Sequence, residues 1–225
     1  MMPFDFTADI SIEDAGSLAK NLGIEHSEIS IKEMYESFSL ALKESFEGMG
    51  IDKTEENLQS RCRGVTLMAL SNKLGFLVLT TGNKSEAAVG YSTLYGDTAG
   101  GFSVLKDVSK TLVYELANYR NSLSVVIPKR IIQRPPSAEL APDQKDTDSL
   151  PDYDRLDPII EMYVEDDKSI QEIINEGFDE KEVRRIVSLI DFNEYKRRQA
   201  PLGIKISDRN FGKDRRYPIT NSWKP

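Results

Sequence analysis

The segment that most constrains the fold runs from Gly75 to Phe102, GFLVLTTGNKSEAAVGYSTLYGDTAGGF. It opens with the short apolar run Phe76-Leu77-Val78-Leu79, which is followed by Thr80-Thr81-Gly82-Asn83. A run of this length, stopped by turn residues, predicts a strand that is buried on both faces. Because a helix is predicted to start at Lys84, residues 80–83 should lie at the carboxyl end of the strand. In open α/β sheets, ligands bind at that edge.

The predicted strand end is rich in polar chemistry. Hydroxyls, a glycine, an amide, a lysine and a carboxylate all occur between Thr80 and Glu86. Such a set is suited to holding a nucleotide. Threonine, asparagine and glutamate are also favoured wherever a strand gives way to a helix N-terminus. Spacing alone therefore leaves both interpretations of this segment open.

The composition of the 225 residues indicates an ordinary globular domain. Acidic residues outnumber basic ones by 37 to 29, and this net charge of -8 argues against a general nucleic-acid or membrane-surface binder. The single cysteine, Cys62, cannot form an internal disulfide and is predicted to lie in or near the core. No run approaches the roughly 20 apolar residues of a membrane span. The first residues lack a signal-peptide pattern, so a cytoplasmic location is expected.

The pattern along the chain predicts an α/β domain followed by C-terminal helices. Strands are expected at residues 1–4 and 24–31, and helices at 154–165, 169–176 and 179–195. Residues 133–151 contain four prolines and no periodicity, which predicts a mobile loop. Residues 199–225 are predicted to form an extended C-terminal tail. One domain should span residues 1–225.

Several segments together resemble the NAD+ synthetase family, in particular the synthetase domain of its glutamine-dependent branch. The segments that carry the resemblance are TTGNKSE at the strand end, YGDTAGGF after it, then RPPSAEL, NEYKRRQAP and RRYPITN towards the C-terminus. The resemblance covers nearly the whole chain. It implies a doubly wound parallel sheet of the adenine-nucleotide α-hydrolase-like type, also called the N-type ATP pyrophosphatase type.

The resemblance also implies roles for individual residues. ATP would be bound by Thr81, Lys110 and Ser137, and Mg2+ by Glu86. Lys110 and Glu86 would be the catalytic residues. Nicotinate adenine dinucleotide (deamido-NAD+) would be bound by Asn57, Arg61, Asp97, Gly101 and Lys196.

Each of these positions also has a plainer interpretation. Asn57 and Arg61 share a helix face that could simply be solvated. Asp97 and Gly101 could belong to a tight turn, and Lys110 could be a surface lysine. The aromatic side chains of Tyr91 and Tyr95 are assigned neither to a site wall nor to the core.

The implied reaction is a two-step ligation. ATP would adenylate the carboxylate of nicotinate adenine dinucleotide and release pyrophosphate, and ammonia would then displace AMP to give NAD+. Mg2+ and Lys110 would offset charge on the leaving pyrophosphate. The family also implies a homodimer. The sequence leaves open whether ammonia comes from a glutaminase domain or from solution.

One family feature does not occur in these residues. The pyrophosphate-binding signature Ser-Gly-Gly-x-Asp-Ser is absent, and the only Gly-Gly pair is Gly100-Gly101. We therefore expect the first strand, its loop and the first helix of such a domain to be missing, which predicts a chain that is inactive alone. One alternative is a non-catalytic dinucleotide-binding or dimerising remnant of the family. Another is an amidating enzyme of the same group, such as a GMP or asparagine synthetase, against which the quoted motifs argue.

Overall fold

The structure, a computed structural model, describes residues 1–222. The first part of the chain alternates helices with two short strands. These elements are α1 Asp9–Leu22, α2 Lys32–Leu42, α3 Lys53–Leu74, β1 Leu79–Thr80, α4 Lys84–Val89 and β2 Phe102–Ser103. The second part is mainly helical: α5 Lys110–Leu123, α6 Lys129–Gln133, α7 Tyr153–Ile160, α8 Ile170–Asn175, α9 Glu180–Phe192, α10 Glu194–Arg197 and β3 Leu202–Gly203.

The three strands form one parallel sheet in the order β1-β2-β3. Leu79 of β1 pairs with Phe102 of β2, and Phe102 pairs in turn with Leu202 of β3. Each strand is only two residues long. Parallel strands joined through helices confirm the predicted α/β class. The carboxyl ends of β1 and β2 meet at one edge, where α4 and α5 begin.

Local signals explain where the helices next to this edge start and stop. The Asp52 side chain accepts a hydrogen bond from the Thr54 amide and caps α3. Asn83 caps α4 in the same way through the amide of Glu86, whose side chain returns to the Asn83 amide. Such reciprocal capping satisfies amide groups that have no partner within the helix. The predicted helix at Lys84 is therefore confirmed.

The prediction that residues 1–4 and 24–31 form strands is wrong. Both segments are irregular, although they run side by side over a short distance. The Ile29 amide donates to the Met1 carbonyl at 2.9 Å, and the Ile31 amide donates to the Pro3 carbonyl at 3.2 Å. Two such bonds align the segments without extending into a ladder.

The prediction that residues 76–79 are buried on both faces is also wrong. Phe76 and Leu77 are each 67% exposed, and Leu79 is 54% exposed. β1 lies at the edge of the sheet, with β2 as its one strand neighbour among residues 1–222. Apolar side chains become buried only where another element packs on them, and no element in residues 1–222 covers this run.

The hydrophobic core lies instead in the C-terminal half of the chain. It is built by α4, α7, α8 and α9, and its centre contains Leu156, Ile173, Ile186 and Ile190, none of which is exposed. The three predicted C-terminal helices are confirmed, with two refinements. The first continues beyond α7 as a π-helical turn, Glu161–Glu165, and the third divides into α9 and α10.

The predicted loop and tail have little regular structure. Residues 134–152 contain one short 3-10 turn, Asp146–Asp148, and the tail contributes β3 to the sheet. The mobility of the loop remains a prediction. The last three residues of the tail, 223–225, lie outside the described residues. Cys62 is buried as predicted, and burial raises the pKa of its thiol. Within residues 1–222, no helix combines the length and apolarity needed to cross a membrane.

Replacing Ile186 with alanine should destabilise the protein strongly. Ile186 is fully buried in the core, and removing its methyl and methylene groups leaves a cavity that costs about 2–5 kcal/mol. The measurement is the free energy of unfolding in urea. The control is Ile51→Ala, because Ile51 is 88% exposed and should change stability by less than about 0.5 kcal/mol. Equal effects of the two variants would contradict the position of the core.

Candidate functional site

A cavity of about 690 Å³ opens beside the start of α4. Its walls come from one face of α3, the beginnings of α4 and α5, the segment after α4, the loop at 136–149 and the first residues of the chain. Six of the nine residues predicted to be functional line it: Asn57, Glu86, Asp97, Lys110, Ser137 and Lys196. Residues far apart in sequence thus meet at one place.

At the centre of the cavity wall, Glu86 and Lys110 form an ion pair. Lys110 Nζ lies 2.9 Å from Glu86 Oε1, and both side chains are less than one fifth exposed. Burial lowers the pKa of Lys110, but the carboxylates of Glu86 and Asp146 outweigh burial and leave that pKa above its ordinary value. Lys110 therefore remains a cation that can offset negative charge on a ligand.

A buried hydrogen-bond network fixes this pair. The Ser85 hydroxyl donates to Asp157 Oδ1 and accepts from the Lys110 amide at 2.8 Å. Asp157 Oδ2 accepts from both the amide and the hydroxyl of Thr111, at 2.9 and 2.8 Å. Ser85 and Asp157 are buried. One serine and one aspartate thus tie the first turns of α4 and α5 together, and these turns carry Glu86 and Lys110.

A second polar group surrounds Asp97. The Thr93 amide donates to Asp97 Oδ1 at 2.6 Å, and the Thr93 hydroxyl donates to Asn57 Oδ1 at 2.9 Å. Burial raises the pKa of Asp97. The turn that carries Asp97 packs closely on α3, because a Cβ atom added at Gly64 would lie only 2.6 Å from the Tyr95 carbonyl oxygen. Glycine is needed there for this close approach.

Lys196 reaches the same region from α10. Its Nζ donates to the carbonyls of Gly90 and Ser92, each at 2.7 Å. Burial lowers the pKa of Lys196, and the Asp97 carboxylate acts in the opposite direction. Glu86, Asp97 and Lys196 also line a second, smaller cavity of about 50 Å³ on the side towards β2. These three side chains therefore separate two adjoining spaces.

Three predicted site residues lie outside the large cavity. Thr81 is exposed at the strand end. Arg61 is exposed as well, and its Nε donates to the Leu94 carbonyl at 3.2 Å. Gly101 packs on the strand segment, where its amide donates to the Val78 carbonyl at 3.0 Å. Their roles towards a ligand remain predictions.

The structure adds residues that sequence reasoning did not assign to the site. Tyr91, left open between wall and core, lines the cavity and also packs against the core. The Tyr153 hydroxyl donates to the buried carboxylate of Asp146 at 2.8 Å, and burial together with Asp146 raises the pKa of Tyr153. Lys110 Nζ lies 5.2 Å from the centre of the Tyr153 ring. No pattern in the sequence places Asp146 in the cavity beside Glu86, because the irregular loop 133–151 carries it to the cavity wall.

The face of α3 did carry a detectable signal. Glu56, Asn57, Ser60 and Arg63 all line the cavity. Their spacing of three and four residues places them on one side of a helix. A search for a polar stripe along α3 would therefore have found Arg63, which lies two residues after the predicted Arg61.

The predicted mobile loop covers part of the cavity. Gln59 Nε2 donates to the Leu140 carbonyl at 2.9 Å, and Gln144 Nε2 donates to Glu56 Oε2 at 3.1 Å. The Ser137 hydroxyl donates to the Gln144 carbonyl. The first two bonds fasten the loop to α3, and the third lies within the loop.

Glu86 is the side chain predicted to bind a metal ion, and it lines the cavity. Residues 1–222 contain no group of three or more histidine, cysteine, aspartate or glutamate side chains arranged to hold a metal. A single carboxylate suits Mg2+, which commonly takes one or two carboxylates and completes its octahedron with phosphate oxygens and water. The donor set therefore fits an ion that arrives with a phosphorylated ligand.

Asp157→Asn should weaken the junction of α4 and α5. The amide cannot accept the bonds from Ser85 and Thr111 as strongly as the carboxylate does, so a loss of about 1.5–3 kcal/mol is expected. The free energy of unfolding in urea measures this loss. Asp152→Asn is the control. Asp152 is exposed just before α7, the helix that carries Asp157, and asparagine is an equally good N-cap residue. Unchanged stability of the Asp157→Asn variant would contradict the conclusion that this hydrogen-bond network supports the site.

Comparison with known proteins places this geometry in context. The family described as NAD synthase matches residues 1–200. A glutamine-dependent NAD(+) synthetase from Acinetobacter baylyi is 56% identical over the whole chain, which covers 42% of that protein. The chain thus spans less than half the length of this curated relative.

Two solved structures of synthetases are also similar to this chain in sequence and fold. The glutamine-dependent NAD+ synthetase of Acinetobacter baumannii, in complex with adenosine diphosphate, is 50% identical with a TM-score of 0.60, over 99% of this chain and 40% of that one. The NMN synthetase of Francisella tularensis is 30% identical with a TM-score of 0.72, over 87% of this chain and 74% of that one. Family, sequence and fold coincide, and the chain belongs to the NAD synthase family.

Proposed function

We propose that this chain takes part in the ATP-dependent amidation of nicotinate adenine dinucleotide to NAD+. The observation that carries the proposal is the convergence of Glu86, Lys110, Asn57, Asp97 and Lys196 on one cavity. Membership of the family supports the reaction class. The nucleotide bound to the Acinetobacter baumannii relative supports ATP as the co-substrate.

The proposed reaction proceeds in two steps. A carboxylate oxygen of the dinucleotide attacks the α-phosphorus of ATP, and the bond to pyrophosphate breaks. Ammonia then attacks the acyl carbon, AMP leaves with the oxygen, and loss of a proton gives the amide. Neither step needs a redox partner. The chief demand on the protein is to orient two anionic substrates and offset charge that shifts onto the leaving groups.

Lys110 is suited to that demand. It is a cation held at a fixed position by Glu86 and by the network at the start of α5, so it needs little rearrangement to meet a phosphate group. Preorganised charge of this kind stabilises a transition state more than a mobile surface lysine can. Ser137, on the loop that covers the cavity, would supply a hydroxyl to the same substrate.

Glu86 would hold Mg2+, which when bound would neutralise phosphate charge. The side chain already faces the cavity and carries a cation partner in Lys110. Asn57, Asp97 and Lys196, which line the same cavity, would orient the dinucleotide. Thr81, Arg61 and Gly101 remain candidates from the family resemblance. The homodimer and the source of ammonia are proposals on the same basis.

A second candidate reaction is amidation of a mononucleotide. It is favoured by the likeness to the Francisella tularensis NMN synthetase, of which this chain covers 74%. The greater identity to dinucleotide enzymes supports the first proposal. A non-catalytic nucleotide-binding role is the third possibility, since the 225 residues contain no Ser-Gly-Gly-x-Asp-Ser loop. A loop of this kind cradles phosphate with its backbone amides.

The test is ammonium-dependent formation of NAD+ from ATP and nicotinate adenine dinucleotide. The 225-residue chain is compared with the same chain joined to the preceding part of the Acinetobacter baylyi relative. We expect the joined protein to form NAD+, with AMP and pyrophosphate in equal amounts, and the 225-residue chain to be much slower.

The same assay separates the alternatives. Preference for nicotinate mononucleotide would favour the second candidate. Nucleotide binding without turnover in either protein would favour a non-catalytic role. Full turnover by the 225-residue chain would show that phosphate is held without the missing signature.

Glu86→Gln should weaken magnesium-dependent ATP binding about tenfold or more, because an interaction with a charged group is lost. Titration calorimetry with ATP, with and without Mg2+, measures the effect. The control is Glu180→Gln, which removes an exposed carboxylate on α9. Unchanged magnesium dependence in Glu86→Gln would remove Glu86 as the metal ligand.

A further inference from the structure

Arg63 lies in the cavity without an assigned role. It projects from α3, its side chain is half-buried, and it lines the cavity next to the first residues of the chain. Its Nε donates to the Met2 carbonyl at 3.0 Å. The next residue, Gly64, packs closely on the turn at Tyr95. Close packing at Gly64 therefore fixes the backbone at Arg63. The bond to Met2 fixes one nitrogen, Nε, of the guanidinium group.

The other cations of the cavity wall have partners. Lys53 and Lys110 form ion pairs with glutamates at 2.8 and 2.9 Å, and Lys196 donates to two backbone carbonyls. Arg63 differs, because within residues 1–222 neither of its Nη atoms has a hydrogen-bond or ion-pair partner. Two donor nitrogens of the guanidinium group are thus available to a ligand in the cavity.

The positive charge of Arg63 is only partly compensated by its surroundings. Burial lowers its pKa, which shows that its surroundings disfavour the positive charge. The neighbouring carboxylate of Glu139 is already engaged by Arg134 at 2.7 Å and by the Ser11 hydroxyl at 2.6 Å. An anion brought in from solution would give the Nη groups a charged partner that residues 1–222 do not supply.

We propose that Arg63 binds a phosphate group of the nucleotide that enters this cavity. A guanidinium group presents paired N–H donors in a plane, which match two oxygens of a phosphate. The inference rests on the proposed function, because both proposed substrates carry phosphates. ATP and the dinucleotide share this chemistry, so the experiment must tell them apart.

Arg63→Gln tests the assignment on the 225-residue chain. Titration calorimetry is performed with ATP, adenosine, nicotinate adenine dinucleotide and inorganic pyrophosphate. We expect about ten- to a hundredfold weaker binding of at least one phosphate compound, the size of a lost charge-assisted hydrogen bond. Adenosine should bind as it does to the unsubstituted chain. The compound most affected identifies the source of the phosphate.

Two further variants serve as controls. Arg184→Gln removes an arginine from the exposed face of α9 and should leave every affinity unchanged. Arg63→Lys keeps the charge but cannot form the paired bonds, so it should weaken the same compound severalfold. It also gives an answer if Arg63→Gln does not fold, as judged by circular dichroism. Unchanged phosphate affinity in a folded Arg63 variant would overturn the assignment.

The outcomes separate the two proposals. Arg63-dependent binding of pyrophosphate, without binding of ATP or the dinucleotide, would support the role of Arg63 and contradict the proposed function. Binding of both nucleotides with full affinity in Arg63→Gln and Arg63→Lys would leave the proposed function standing and overturn the role of Arg63. No binding of any phosphate compound to the unsubstituted chain would overturn the role of Arg63. Absence of NAD+ formation by the joined protein would overturn the proposed function.

Discussion

The Ser85 hydroxyl and the Asp157 carboxylate bridge the first turns of α4 and α5, and the geometry of the cavity depends on this bridge. Because Ser85 precedes Glu86 and bonds the Lys110 amide, the ion pair inherits its spacing from the backbone of two helices. Both bridging groups are buried, where a satisfied hydrogen bond is strong and an unsatisfied one is costly. Asp157 belongs to α7 and hence to the core. The charged wall of the cavity is therefore attached to the best-packed part of the molecule.

Burial is unevenly distributed over the chain. The C-terminal helices enclose a core in which Ile173, Ile186 and Ile190 are fully buried, whereas the apolar run at 76–79 is largely exposed. The candidate site lies between these two regions. Its α4 and α10 sides pack on the core, and its α3 side is held by hydrogen bonds to loop 133–151 and to the segment after α4. The two walls thus have different kinds of support, apolar packing on one side and polar fastening on the other.

Interactions across the cavity explain why charged side chains are tolerated there. Glu86 is paired with Lys110, and Asp97 accepts a backbone amide. Buried charges of this kind need partners, because the low-polarity surroundings no longer solvate them. Arg63 is the exception among the cations of the wall in the described chain, and a phosphate ligand would complete the pattern. The charged side chains named here thus have partners within residues 1–222, except for the Nη atoms of Arg63, which are proposed to bind an anionic ligand.

The sequence by itself determined the family, the α/β class, the helix at Lys84 with its Asn83 cap, and six side chains of the cavity wall. These features are local, or belong to short motifs such as TTGNKSE, so the residues themselves carry the information. Only the tertiary structure decided that the 76–79 run is exposed and that Asp146, from a loop, lines the same cavity as Lys110. The polar stripe along α3 already contains Arg63, but only the structure shows that this face of the helix lines the cavity. Burial and long-range contact depend on what packs against a segment, and no periodicity within the segment encodes that neighbour.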